Sequence, residues 1–273
     1  LCAFELGGPP RWDAPLGGFA FDVCCADLDG DGVDEILTAG ADGVVACFSA
    51  AGQVRWTHKL PAPVQQVTVA RLDGKSPVVL AGGMSRVIVV LSPQGQVIKS
   101  LKTEGTLGGI AIRMLRAGDF DGDGRDEVAV MGLRGRALDV RLLKGSELQP
   151  MPGEFPLDGL KTANGTVTDL DGDGAAELLV GAAILSLKGQ VGPAPKSNSD
   201  GSKKGQVKNP GRKGQVKNAA PRPGRLPDEP TAVSYDYHYR MRSLAAGDLT
   251  SNPGQEIAIL DGPDLQLCAA DGR

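Results

Sequence analysis

Three stretches of the chain place four carboxylates at one and the same spacing. Asp27, Asp29, Asp31 and Glu35 take positions 1, 3, 5 and 9 of DLDGDGVDE. Asp119, Asp121, Asp123 and Glu127 repeat the pattern in DFDGDGRDE, and Asp169, Asp171, Asp173 and Glu177 repeat it in DLDGDGAAE. Alternate residues on a tightly curved backbone can turn toward one centre, and glycine at positions 4 and 6 permits that curvature. Oxygen donors gathered this way suit calcium, a hard cation that takes six to eight oxygens at about 2.3–2.6 Å. Position 7 (Val33, Arg125 or Ala175) would add a backbone carbonyl. Carboxylates held this close repel one another unless a cation joins them. The competing reading is an acidic turn in solvent.

Two further copies depart from the pattern. One keeps Asp248, Thr250, Asn252 and Glu256, with two formal charges in place of four, which predicts a weak fourth site or none. The other keeps Asp73 but has Arg71 and Lys75 where ligands should stand, so no cation is expected there. An EF-hand is excluded. It needs Glu at position 12 and flanking helices; here position 12 is Thr38, Val130 and Val180, and the flanks EILTAG, EVAVMG and ELLVGA read as strands.

The elements that carry these loops repeat with them. The first loop positions (Asp27, Arg71, Asp119, Asp169 and Asp248) are separated by 44, 48, 50 and 79 residues. A second repeat follows each loop by about 20 residues: VVACFSAAGQVRW (44–56), VIVVLSPQGQVIKS (87–100) and LQLCAADGR (265–273), with LCAFELGGPPRW (1–12) on the same template. Each reads as strand, glycine turn, strand. One unit is therefore strand, acidic loop, strand, turn, strand, tight turn, strand. Periods of 40 to 50 residues with such contents are those of propeller blades. The expected fold is all-β: a β-propeller of four-stranded antiparallel blades, about five of them visible, forming a ring alone or part of a ring of seven or eight.

The long last step contains a different kind of sequence. Between Lys188 and Arg225 stand ten Lys or Arg and one Asp; without them the chain has 19 basic and 32 acidic residues, a net charge of -13. The acidic body points to cations and away from nucleic acid. Residues 192–232 are polar, basic and Gly/Pro-rich, with KGQV at 204–207 and 213–216, and are expected to be a disordered insertion. The propeller would then occupy 1–191 and resume over 233–273.

The pattern of apolar strand, DxDGDGxxE and strand ending in Gly resembles the FG-GAP or VCBS-type repeat of integrin α-chain heads and secreted bacterial proteins. Gly52-Gln53-Val54-Arg55-Trp56 is similar to the turn of PQQ-like propeller repeats. The resemblance implies structural metals on one face of the disc and ligands on the opposite face or in the central channel. It also implies an extracellular or periplasmic location. It says little about activity, because one fold hosts many functions.

Catalytic signals are sparse. The only histidines are His58 and His238, and no GxSxG, HExxH or P-loop is present. Tyr235, Tyr237 and Tyr239, all the tyrosines of the chain, alternate with Asp236, His238 and Arg240. On a strand they would form one aromatic face, able to stack on sugar rings. Two functions follow. One is a non-enzymatic, calcium-stabilised module binding a protein or glycan. The other is a secreted calcium-dependent polysaccharide lyase or another carbohydrate-active enzyme. A quinone-dependent dehydrogenase is disfavoured, since Trp12 and Trp56 fall at equivalent outer-strand positions. Five cysteines without CxxC read as small buried residues. No apolar run is long enough to span a membrane. The chain begins at Leu1 without a signal peptide pattern, as a processed product or excised fragment would.

Overall fold

Apolar residues follow one another without a polar break in VVACF (44–48), VVLA (78–81) and VIVVL (87–91). Successive side chains on a strand point to opposite faces, so both faces of these strands must be covered. The chain answers by standing small sheets side by side. The computed structural model describes residues 1–4, 10–134, 137–152, 155–157, 165–170, 172–180 and 183–187, and the backbone of three later strands.

β1 (Cys2–Phe4) and β2 (Pro10–Asp13) pair as a two-stranded sheet. β3 (Ala20–Ala26), β4 (Glu35–Gly40), β5 (Val44–Phe48) and β6 (Val54–Lys59) form a four-stranded antiparallel meander. β7 (Val64–Ala70), β8 (Val78–Gly83), β9 (Val87–Leu91) and β10 (Val97–Lys102) form the next. After one helical turn, α1 (Thr103–Thr106), come β11 (Ala111–Gly118), β12 (Glu127–Arg134) and β13 (Ala137–Lys144). The outer edge of that sheet is shared by β14 (Gln149–Pro150) and β15 (Phe155–Leu157). Two three-stranded sheets follow: β16 (Gly165–Thr168), β17 (Glu177–Val180) and β18 (Ala183–Leu185), then β19 (Ser243–Gly247), β20 (Glu256–Asp261) and β21 (Asp264–Ala269). The first strands β3, β7, β11, β16 and β19 are neighbours in succession. The expected all-β propeller of antiparallel blades is thus the fold.

The core lies between blades. Leu37, Val45 and Cys47 of one blade pack on Val64, Val79, Ala81 and Leu91 of the next. Leu80, Ile88 and Val90 turn the other way, onto Ile112, Val128 and Val130. Ala129, Met131 and Val140 then meet Leu178 and Val180. Each fully buried Val, Leu or Ile contributes about 1.5–3 kcal/mol relative to exposure, so the blades β7–β10 and β11–β15 each stabilise two neighbours.

Polar ties repeat around the ring at two radii. At the inner edge, β3, β7 and β11 each carry a bulge, between Ala20 and Asp22, Val64 and Gln66, and Ile112 and Met114. The side chain after the bulge accepts from the next blade: Val67 N donates to Asp22 Oδ2 (3.1 Å) and Leu115 N to Gln66 Oε1 (3.3 Å). Arg116 completes the series. It donates to Asp22 Oδ2 (3.1 Å), Gln66 Oε1 (3.1 Å) and the Gly165 carbonyl (3.0 Å), so one guanidinium touches four blades.

At the outer edge, Trp12 Nε1 donates to the Ala50 carbonyl and Trp56 Nε1 to the Pro93 carbonyl, each at 2.8 Å. These acceptors lie in the tight turn of the following blade. The indoles rest on Gly52 and Gly95, both at φ near +80°, where an added Cβ would come within 2.6 Å of the ring. Lys99 stands where the next Trp would be and instead meets Glu147 of the following turn.

The cysteines correct an expectation in part. Cys47 is buried and Cys24 half-buried, but Cys2 and Cys25 are exposed, and all four are free thiols. Burial pushes the thiols of Cys24 and Cys47 up to about 11. No described helix is long and apolar enough to cross a membrane. The 192–232 segment lies outside the described residues.

Candidate metal centre

Each acidic loop joins the first and second strands of a blade. In the loop after β3, both oxygens of Asp27 accept backbone N–H groups, Oδ1 from Gly30 (2.7 Å) and Oδ2 from Gly32 (2.9 Å). Asp119 does the same with Gly122 and Gly124, and Asp169 with Gly172 and Gly174. All six glycines have φ between 74° and 84°, which L side chains rarely adopt. Position 5 fixes position 7: Asp31, Asp123 and Asp173 accept from the N–H of Val33, Arg125 and Ala175 at 2.8–2.9 Å. These bonds hold Asp27 and Asp123 below the usual carboxylate range, for Asp27 through Gly32 and Gly30, and for Asp123 chiefly through the ammonium of Lys144.

The glutamate at position 9 begins the second strand and points back under the loop. Glu35, Glu127 and Glu177 are buried. Their Oε2 atoms accept from the N–H of Leu28, Phe120 and Leu170 at 2.9–3.0 Å. In the first two loops that leaves Oε1 of Glu35 and Glu127 beside the other carboxylates. Ligand atoms of Asp27, Asp29 and Glu35 lie within 4.8 Å of one another, and so do those of Asp119, Asp121 and Glu127. Asp31 and Asp123 stand outside these trios. Glu35 Oε1, Asp121 Oδ1 and Glu127 Oε1 are buried; Asp121 Oδ1 makes no hydrogen bond, and the two glutamate oxygens are met only by a cationic side chain of their own blade. Burial pushes the Glu127 carboxyl up. Buried anionic oxygens gathered within 4.8 Å, with hard donors only, fit a divalent cation of the calcium type.

Two side chains that the loop pattern does not contain also reach these trios. Arg55 Nη1 of β6 lies 2.5 Å from Asp29 Oδ2 and 3.0 Å from Glu35 Oε1. Lys144 Nζ, at the end of β13, meets Asp121, lies 2.8 Å from Asp123 Oδ2 and 3.2 Å from Glu127 Oε1. The strand register explains it. Val128 pairs with Leu143, so Lys144 falls opposite Glu127. In the first blade Ile36 pairs with Phe48, Ser49 falls opposite Glu35, and the cation comes from the next strand. Only the register discloses this; the repeat by itself does not.

Neighbouring loops are also bonded to each other. The position-8 N–H donates to the position-1 carbonyl of the preceding blade: Asp126 N to Arg71 O (3.1 Å) and Ala176 N to Asp119 O (2.7 Å). The Asp126 carboxylate accepts in return from Arg71 N at 2.6 Å. Of the remaining expected site residues, Asp171, Asp248, Thr250, Asn252, Tyr235, Tyr237, Tyr239 and the side chain of Glu256 lie outside the described residues.

Residues 1–106 match the family model described as the lambda-carrageenase beta-propeller domain. Lambda-carrageenases of Pseudoalteromonas carrageenovora and of another Pseudoalteromonas are each 33% identical over 105 residues, 38% of this chain and 11% of theirs. The chain thus spans about a tenth of the length of these curated relatives. Two crystal structures of BBS1N in complex with ARL6DN, soaked with lead or with mercury, superpose with TM-scores of 0.58 and 0.56. They are 9% and 11% identical, and the match covers 97% of this chain and 70% and 68% of theirs. At such identity the likeness shows the fold alone.

Proposed function

We propose that the chain is a calcium-stabilised propeller that binds a glycan, in a secreted protein handling a carrageenan-type polysaccharide. The observation that carries the glycan is the match of residues 1–106 to the lambda-carrageenase propeller domain. The loops support the metal as structural: they sit in the strand connections, and their donors are already hydrogen-bonded into the blade. The resemblance to FG-GAP and VCBS-type repeats agrees with that role. An extracellular location follows from the same reading, since calcium there is plentiful.

Affinity electrophoresis of the chain through gels containing lambda-carrageenan tests the binding. Retardation by this polymer and none by a neutral galactan is the expected result. Equal mobility in all gels would remove the glycan assignment. A second reading, that this chain itself takes part in cleaving the polymer, is favoured by the activity named in the relatives. A reducing-end assay separates the two: new ends support cleavage, and binding without new ends leaves a binding module.

A further inference from the structure

The calcium reading leaves Arg55 and Lys144 without a role. Each is a cation carried by a strand of the same blade, and each enters the carboxylate trio where a metal would sit. Lys144 touches three of the expected ligands of the second loop: Asp121, Asp123 and Glu127. Arg55 touches two of the first: Asp29 and Glu35. An ammonium has three donors and one charge. It cannot satisfy the four carboxylates of the second loop: Glu127 Oε1 has Lys144 as its one neighbour of opposite charge, and Asp121 Oδ1 remains buried without a hydrogen bond. The Lys144 side chain is 35% exposed, and that of Arg55 is 37% exposed. Both can therefore swing into water without unpacking the blade, Lys144 on a flexible four-carbon stem.

We propose that Lys144 and Arg55 are tethered counter-ions that occupy these two loops in the absence of metal and are displaced when calcium binds. Each loop is then a cation-exchange site. The tethered cation holds the turn closed without metal, and calcium replaces one charge with two and takes up the oxygen of Asp121 that the ammonium leaves unpartnered. Competition from the tether weakens calcium at both loops. The proposal rests on the calcium reading and adds to it an occupant and a competitor.

The test reads Lys144 on the full wild-type chain by acetylation with an N-hydroxysuccinimide ester and peptide mass spectrometry, with calcium chloride and with chelator. Lys144 should react slowly in chelator and on the order of tenfold faster in calcium, a change equivalent to about 1.4 kcal/mol. Lys75, exposed beside the loop that lost its ligands, should react equally in both. In calorimetric titrations, Lys144→Gln should tighten one calcium site on the order of tenfold and Arg55→Gln another. Glu127→Gln should remove the site that Lys144→Gln tightens. If calcium binds while Lys144 reactivity and both affinities stay unchanged, the tether idea is overturned and the calcium reading stands. If wild type and both variants all fail to bind calcium, the calcium reading falls and takes this proposal with it.

Discussion

Arg116 and Asp22 are 94 residues apart in the chain and 3.1 Å apart in the propeller. Asp22 belongs to the first complete blade and Arg116 to the third, with Gln66 of the second between them. The same guanidinium reaches Gly165 of the fourth. Both side chains are mostly buried, at 26% and 12% exposure. Removing the guanidinium strands acceptors on three other blades. Arg116→Ala should lower stability by about 2–3 kcal/mol, or about 5–10 °C in Tm for a chain of this size. Asp22→Asn should cost less, because an amide oxygen can still accept from Val67 N. A thermal melt of Arg116→Ala indistinguishable from wild type would show that the hub carries no load.

Calcium should raise the melting temperature. A ligand at a hundred times its Kd that binds only the folded state adds about 2.7 kcal/mol per site. For one site this corresponds to about 5–10 °C. Melts in calcium and in chelator measure it. Coincident curves would exclude a structural metal in the loops at Asp27, Asp119 and Asp169.

The outer-edge ties are unequal, and the inequality can be measured. Trp56→Ala should cost about 3 kcal/mol, since it loses a packed indole and its bond to Pro93. Gly95→Ala should cost about 1–3 kcal/mol from its positive φ alone, and more from the ring 2.6 Å away. With Trp56 already removed, the ring clash is gone, so the double variant should cost less than the sum of the two. Lys99→Ala, at the equivalent position, should cost under about 1 kcal/mol because Glu147 is exposed. Urea melts of the four variants decide it; additivity of Trp56→Ala and Gly95→Ala would contradict the stacking.

The thiols make a pH prediction. Burial pushes the thiols of Cys24 and Cys47 up to about 11 in the folded chain, from an ordinary value of 9.0. A thiol charges when it loses its proton, so the folded state holds those protons to higher pH than the unfolded state does. Stability from this source is complete below about pH 9 and declines as pH rises through about 11. Iodoacetamide at pH 8 should label exposed Cys2 first, while Cys24 and Cys47 should react only under denaturing conditions. Early labelling of Cys47 would contradict its burial.

The sequence by itself determined the repeat, the blade order of its strands and the loops. Local chemistry suffices for these. Asp-x-Asp-Gly-Asp-Gly dictates a turn whose first carboxylate caps its own glycine N–H groups, and unbroken apolar runs demand strands covered on both faces. It also placed Glu35, Glu127 and Glu177 at the loops, because position 9 is counted along one chain segment. What joins blades was decided only in three dimensions. Arg116 looks like any basic residue until the packing of successive first strands brings Asp22, Gln66 and the Gly165 carbonyl around it. Lys144 acquires meaning only from the register that sets it opposite Glu127. Tandem repeats fix what lies within about 50 residues, whereas contacts across blades depend on how the sheets pack, which no local pattern encodes.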